Sequence, residues 1–488
     1  MESNTLLSAP RPCPTLATVE LREKRTLAAL LVVAGLTTSA CQHVPPHPLS
    51  VERTAAALDA RSLDDPGLAR FLATALGQAP PEWPLHVWDL TRLTLAALYF
   101  QPSLAVVRTH AALAGAAVET AGALPNPTLS ITPEYSVNPM GAVSPWVTAV
   151  HLDWMIETAG KRGWRIDRAT ADAEAARAAI TTEAWRVRRE LSTALVALAA
   201  ARRQAAALAD EVALDTRLVD LAEARLRAGA ASAPDAAPLR FALLQATTDH
   251  AAAAAQIEQT ETKVAAAIGV PARALAGADL PVGPDDADTR TLLDLAPDLA
   301  RRRALLERAD VHQAVASYAA AEAALGLELA RQYPDIHLGP GYQFDQGQNK
   351  WSVGLSVDLP LLNRNEGPIA EAVAAREEAA ARLVATQATV IAEIEHALAR
   401  RTGERTRGER LRAVVVDRDA NLARARSALA AGALDRASVV AAEVERSQAA
   451  RAAIDADAAL AQALVDLEAA VAGPMNAAAT PTVAEGTP

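Results

Sequence analysis

Two stretches of this chain alternate apolar and polar residues with a period of two. In the first, Leu129, Ile131, Pro133, Tyr135 and Val137 interleave with Thr128, Ser130, Thr132, Glu134 and Ser136. A Pro- and Gly-rich turn follows at 138–145. Then Trp146, Thr148, Val150, Leu152, Trp154 and Ile156 interleave with Val147, Ala149, His151, Asp153 and Met155. The second stretch repeats the design. Ile336, Leu338, Pro340, Tyr342 and Phe344 oppose His337, Gly339, Gly341, Gln343 and Asp345, and Trp351, Val353, Leu355, Val357 and Leu359 oppose Ser352, Gly354, Ser356 and Asp358. Side chains alternate across a strand, so the pattern predicts strands at about 128–137, 146–156, 335–344 and 350–359, each with one apolar face. Their length of about 10 residues and their dyad pattern match transmembrane β-strands. Tyr135, Trp146, Trp154, Tyr342, Phe344 and Trp351 fall on the apolar face, as girdles at a membrane interface do. Four strands cannot close a barrel, whose smallest forms have about eight, so a barrel must be shared between subunits. For any one strand, a small soluble sheet packed on one face is the commoner alternative.

After each pair of strands the period changes. From 163 to 228 there is no Pro and no internal Gly. About 65 residues at 1.5 Å each predict a helix of roughly 100 Å. Its apolar seam runs in 4–3 steps through Val187, Leu191, Ala194, Leu198, Ala201, Ala205, Leu208, Val212, Val219, Ala222 and Leu226, broken only by Asp215. Heptad spacing with small knobs lets helices approach closely. A second long helix is expected at about 368–431, opening on Pro368. Gly403 and Gly408 interrupt it, marking a bend or a close helix contact. Return helices follow at about 234–268 and 435–472, each stopped by Gly and then Pro. Shorter helices are expected at about 89–100, onward to 123, and at 298–332.

The two halves are copies. Shifted by roughly 203 positions, 150–166 lies over 353–369 without a gap. Val187, Glu190, Leu191, Ala194 and Leu195 then fall on Val390, Glu393, Ile394, Ala397 and Leu398, and Gly229 falls on Gly432. The chain therefore divides into a first repeat (89–276), a linker (277–297) and a second repeat (298–474). Before them stands a Pro-rich extended leader (41–88), and after them a disordered tail (475–488).

Composition changes the picture in two places. The 488 residues are 51% hydrophobic but only 3% aromatic, with alanine supplying much of the apolar content. Such a chain makes long, closely packed helices rather than one thick core. The formal net charge of -11 argues against a nucleic-acid partner. The two cysteines, Cys13 and Cys41, support neither a disulfide framework nor a thiolate metal site. Basic residues 22–25 precede an apolar run at 26–40, too short to span a bilayer, which marks 1–40 as a signal peptide. Thr38-Ser39-Ala40-Cys41 resembles a bacterial lipobox with Thr38 in place of the usual Leu. That makes Cys41 a lipid-attachment residue, with ordinary cleavage nearby as the alternative.

No enzyme constellation is present: no HExxH, and no Gly-rich phosphate loop before a helix. No cofactor is expected. Glu134, His151, Asp153, His337 and Asp358 share the predicted polar faces. Imidazole and carboxylate suit divalent cations, but such residues more often solvate a wet barrel interior.

Together these features resemble the TolC family of outer-membrane efflux proteins. Two local stretches carry the likeness further: Leu124-Pro125-Asn126-Pro127 before the first strand, and Glu157-Thr158-Ala159-Gly160-Lys161-Arg162 where the second strand becomes the long helix. The Gly-Lys-Arg element is most similar to the cation-efflux lipoprotein branch. A basic turn also has a plain reason, since Lys161, Arg162 and Arg165 can meet lipid headgroups. The resemblance implies a mainly α protein with a small membrane β part. It would be a homotrimer whose helical barrel continues a shared twelve-stranded β-barrel in outer-membrane lipid. It further implies a periplasmic adaptor and an inner-membrane transporter of the RND type as partners, and cargo that includes metal cations. Gly229 and Gly432 would sit at the periplasmic tip that meets the adaptor, with Arg225, Arg227 and Arg426 nearby. Asp435 and Arg436 would contribute to a gate, unless these residues serve only as helix caps and solvated flanks. The competing readings are a periplasmic adaptor, which should carry a lipoyl-like β-domain, and a structural coiled-coil lipoprotein without a pore.

Overall fold

The computed structural model describes residues 44–80, 82–137, 141, 143–280 and 291–472. The signal peptide, Cys41 and the tail lie outside them. The chain divides into two units, 1–57 and 58–488. In the first, residues 44–50 have no regular secondary structure and lead into helix α1 (Val51–Asp59), which runs on to the start of the second and whose side chains are all exposed.

The second unit holds α2 (Pro66–Leu76), α3 (Leu90–Phe100), α4 (Pro102–Gly122), β1 (Thr128–Tyr135), β2 (Trp146–Ile156), α5 (Lys161–Arg227) and α6 (Ala233–Ile268). It continues with α7 (Pro297–Glu307), α8 (Ala309–Ala330), β3 (Ile336–Asp345), β4 (Gln348–Val357), α9 (Glu366–Ala430) and α10 (Arg436–Val471). The long helices α5 and α9 have 67 and 65 residues. The seam of α5 is buried at Val187, Leu191, Ala194, Leu198, Ala201, Leu208 and Val219, with Asp215 among them. No single helix among the described residues is long and apolar enough to cross a membrane.

The duplication carries into three dimensions. One core cluster gathers Val187, Leu191, Ala194, Val264, Ala267 and Ile268. Another gathers Val390, Ile394, Ala397, Leu467, Ala470 and Val471, the same positions at the repeat offset.

Three expectations need correction. The leader is not wholly extended: α1 and α2 lie within it, and Leu63, Leu68, Leu72 and Trp88 join the first core. The Asp65 carboxylate accepts the Gly67 N–H at 2.6 Å and Pro66 opens the first turn, so the polar and Pro residues that suggested an extended chain start a helix instead. The helix expected at 298–332 breaks at Arg308, which is extended. Its guanidinium joins Asp310, Glu393 and the Ala470 carbonyl. Finally, α9 runs unbroken through Gly403 and Gly408. A Cβ at Gly403 would meet nothing within 4 Å, and the nearest atoms to one at the buried Gly408 belong to Arg412 of the same helix.

The strands form one antiparallel sheet in the order β1-β2-β3-β4. Its register sets Leu129 opposite Leu152, Trp154 opposite Leu338, and Leu338 opposite Leu355. Every apolar row therefore lies on one face, and the strand parity of the two copies agrees.

Candidate functional site

That apolar face is bare. Trp351 is 82% exposed, Val353 77% and Ile131 62%. Two aromatic pairs stand on it, Tyr135 with Trp146 and Tyr342 with Trp351, at centroid distances of 5.0 and 4.9 Å. β1 and β4 are the sheet's edges.

By register, Glu134, His151, Asp153 and His337 share the opposite, polar face. His337 Nδ1 lies 3.1 and 3.2 Å from the Asp153 carboxylate oxygens. A Cβ on Gly341 would fall 2.5 Å from His151 Nδ1, so the glycine makes room for that imidazole to lie on β3. Glu134 sits at the other end of the strand pair, opposite Val147, and Asp358 follows the last residue of β4. The structure thus joins Asp153 to His337 and leaves Glu134 apart. Among the described residues no group of three His, Cys, Asp or Glu side chains could hold a metal ion.

Where β2 becomes α5, Lys161 turns inward, while Arg162 stays exposed and Arg165 is half-buried. Lys161 is buried. Its ammonium donates to the Tyr333 carbonyl and to Asp335, both at 2.7 Å. Asp335 also accepts the Thr158 N–H at 2.9 Å, and the Thr158 hydroxyl donates to the Pro334 carbonyl at 2.7 Å. The start of α5 in the first copy is therefore tied to the strand β3 of the second. Burial alone would raise the Asp335 carboxyl, but the Lys161 and Thr158 donors outweigh it and hold the group below its ordinary value. Arg162 donates to the Gly122 carbonyl at 2.7 Å, and Arg165 forks onto Glu157. Sequence reasoning missed this clamp. Its only signal was a basic residue straight after the turn glycine.

The opposite ends of the long helices close alike. Gly229 and Gly432 adopt φ of 72° and 73°. Gly229 N–H donates to the Leu226 carbonyl and Ala230 N–H to that of Arg225; Gly432 and Ala433 do the same with Leu429 and Ala428. This is a Schellman cap, whose left-handed residue favours glycine. The return helices start with the same pair of residues in swapped order. Asp235 accepts the Ser232 amide at 2.8 Å and its hydroxyl at 2.6 Å. Asp435 accepts the Ser438 amide at 2.9 Å and its hydroxyl at 2.6 Å. Asp435 also takes an N–H of Arg225 at 3.0 Å. The Ser438 hydroxyl and amide, then Arg225, hold its carboxyl below the usual range. The expected partner Arg436 is exposed, and among the described residues it makes no ion pair with Asp435.

Between the tip and the sheet, α5 and α10 are joined by polar contacts: Arg188 with Glu468 at 2.6 Å, Gln204 with Asp455 at 2.6 Å, and Arg451 with Glu211 at 2.9 Å.

One family model matches the chain twice, once per copy, over 95–270 and 300–473. It describes outer membrane efflux proteins. The chain belongs to the outer membrane efflux protein family. No curated protein matches it by sequence. Among solved structures, a membrane protein from Pseudomonas aeruginosa aligns at TM-score 0.66 and 22% identity, over 78% of this chain and 92% of that one. The outer membrane protein VceC of Vibrio cholerae aligns at 0.65 and 20%, over 79% and 96%. CusC, described through its transmembrane channel formation, aligns at 0.66 and 16%, over 89% and 100%. At such identities the likeness is one of fold. The efflux-family fold accounts for the long paired helices, the four-stranded sheet and their duplication.

Proposed function

We propose that this efflux-family protein is the outer-membrane exit duct of a tripartite pump, working as a homotrimer without covalent chemistry. The sheet carries the reading. It has a bare apolar face, a polar face and two free edges, and it leads directly into helices of more than 60 residues. Pairing β4 of one chain with β1 of the next, three times round, closes a twelve-stranded barrel in outer-membrane lipid and removes every edge. Glu134, His151, Asp153, His337 and Asp358 then line the lumen, and the helices continue the passage through the periplasm.

The finer parts follow the same frame. The repeats, 89–276 and 298–474, act as two quasi-equivalent wall segments. The tips at Gly229 and Gly432 meet the hairpins of a periplasmic adaptor, and an RND-type transporter in the inner membrane supplies the energy. Asp435, held by Arg225, belongs to the gate with Arg436 beside it. Cys41 carries the lipid. The Gly-Lys-Arg resemblance favours metal cations as cargo.

Fractionation with native mass measurement and planar-bilayer recording tests the duct. The expected result is a trimer that only detergent extracts and that conducts ions. A monomer released by urea, with no conductance, removes the reading. Growth of a deletion strain on copper, zinc and cobalt salts, against a panel of drugs, tests the cargo. Acyl labelling of wild type and Cys41→Ser tests the anchor.

A further inference from the structure

A cavity of about 430 Å³ lies where the two copies meet, walled by α5, the start of α8, α9 and α10. Small-molecule sites usually enclose ~300–1,000 Å³. The indole of Trp185 and a methyl floor that includes Ala469 make part of the lining apolar.

The rest is charged, with Arg186, Arg189, Arg308 and Arg400 set against Asp310, Glu393 and Asp466. Arg189 from the first copy and Arg400 from the second converge on one carboxylate. Their guanidiniums lie 2.9 and 2.5 Å from the two oxygens of Asp466. A guanidinium has five N–H donors, and among the described residues neither arginine makes another hydrogen bond. Both are partly exposed, so their spare donors remain accessible. Arg308 closes the site from the start of α8, fixed by Asp310, Glu393 and the Ala470 carbonyl. The first turn of α8 carries Asp310, whose carboxylate also accepts the Val311 N–H at 3.0 Å, so the available donors come from the arginines. His396 stands one turn from Arg400 on the same wall. The lining carboxylates Asp310, Glu393 and Asp466 are each already engaged by a guanidinium. They hold the cations in place without cancelling their remaining donors.

We propose that this cavity binds a small organic anion. Its carboxylate or phosphate takes the spare N–H donors of Arg189 and Arg400, and its apolar body lies against Trp185 and Ala469. Such a ligand joins α5 of one copy to α9 and α10 of the other, so it staples the repeats together. The site lies within one chain and does not depend on the duct reading.

Calorimetric titration of the full-length protein in detergent tests this with phenyl phosphate, inorganic phosphate and phenol. Phenyl phosphate should bind saturably at one site per chain, and phenol should not. Arg400→Gln removes a charge-assisted donor pair and should weaken phenyl phosphate about tenfold or more. Ala469→Phe intrudes on the apolar part of the cavity while keeping both guanidiniums, and should abolish binding with the helical circular dichroism intact. No saturable binding to wild type overturns the proposal. So does wild-type affinity in Ala469→Phe, or equal affinity for inorganic phosphate and phenyl phosphate.

Discussion

Asp215 interrupts the apolar seam of α5 and is nevertheless 4% exposed. Among the described residues its carboxylate accepts no hydrogen bond, while Glu211, one turn earlier, is matched by Arg451 and Gln448. Burial, and then the charge of Glu211, push the Asp215 carboxyl up. Its ionised form therefore costs stability at neutral pH. Asp215→Leu restores the heptad and should stabilise the fold by about 1–2 kcal/mol, read as a higher unfolding temperature by circular dichroism. A lower temperature would mean that the carboxylate has a partner the single chain does not contain. At this scale the sequence is legible wherever periodicity constrains it. The parity that set Asp153 and His337 on one face needed only counting by twos. The burial of Lys161 was not legible, because its acceptors, Tyr333 and Asp335, come from the other copy.

The clamp of Lys161, Thr158 and Asp335 decides how the helices leave the sheet. Asp335 has a lowered carboxyl, so its contribution is complete above the ordinary carboxylate range, near pH 4, and is lost as pH falls through the lowered value. Asp335→Asn should melt below wild type at pH 7 and at pH 5, with the gap closing only as pH falls below the ordinary carboxylate range. A gap that closed by pH 5 would remove the clamp from the account. At the far end, Arg225 and Asp435 tie the two helical hairpins. Asp435 also caps α10, so its removal mixes two effects. Arg225→Ala leaves the cap intact and should raise single-channel conductance as Asp435→Ala does, and Arg436→Ala, which breaks no ion pair with Asp435, should raise it less. Wild-type conductance in Arg225→Ala would confine Asp435 to capping. The long helices and strands were readable because each repeats one period over many residues. The break at Arg308 was not. It contains neither Gly nor Pro, and it is set by guanidinium contacts to Glu393 and Ala470, far away in sequence.

Across the molecule, the two copies share a set of core positions but not the charges at their tips. Arg225 and Arg227 fall on alanines, Ala428 and Ala430, in the second copy, and the paired serine and aspartate of the return helices change places. The walls are thus alike in packing and unlike in electrostatics, which is where opening can favour one hairpin over the other. The duplication, and hence the architecture, was plain from an ungapped shift of the sequence. The pairing across it was not, since α5 meets α10 through single charges that no periodicity announces. The open sheet has a further consequence, for the life of the protein before assembly. A single folded copy offers unpaired backbone at β1 and β4 and a large water-averse surface. Either feature invites sheets to grow edge on edge. On the trimer proposed above, barrel closure is in a race with aggregation, and a newly exported chain would need an escort until two others arrive. Overproduction beyond the cell's assembly capacity should fill the periplasm with strand-linked aggregates, not with free subunits.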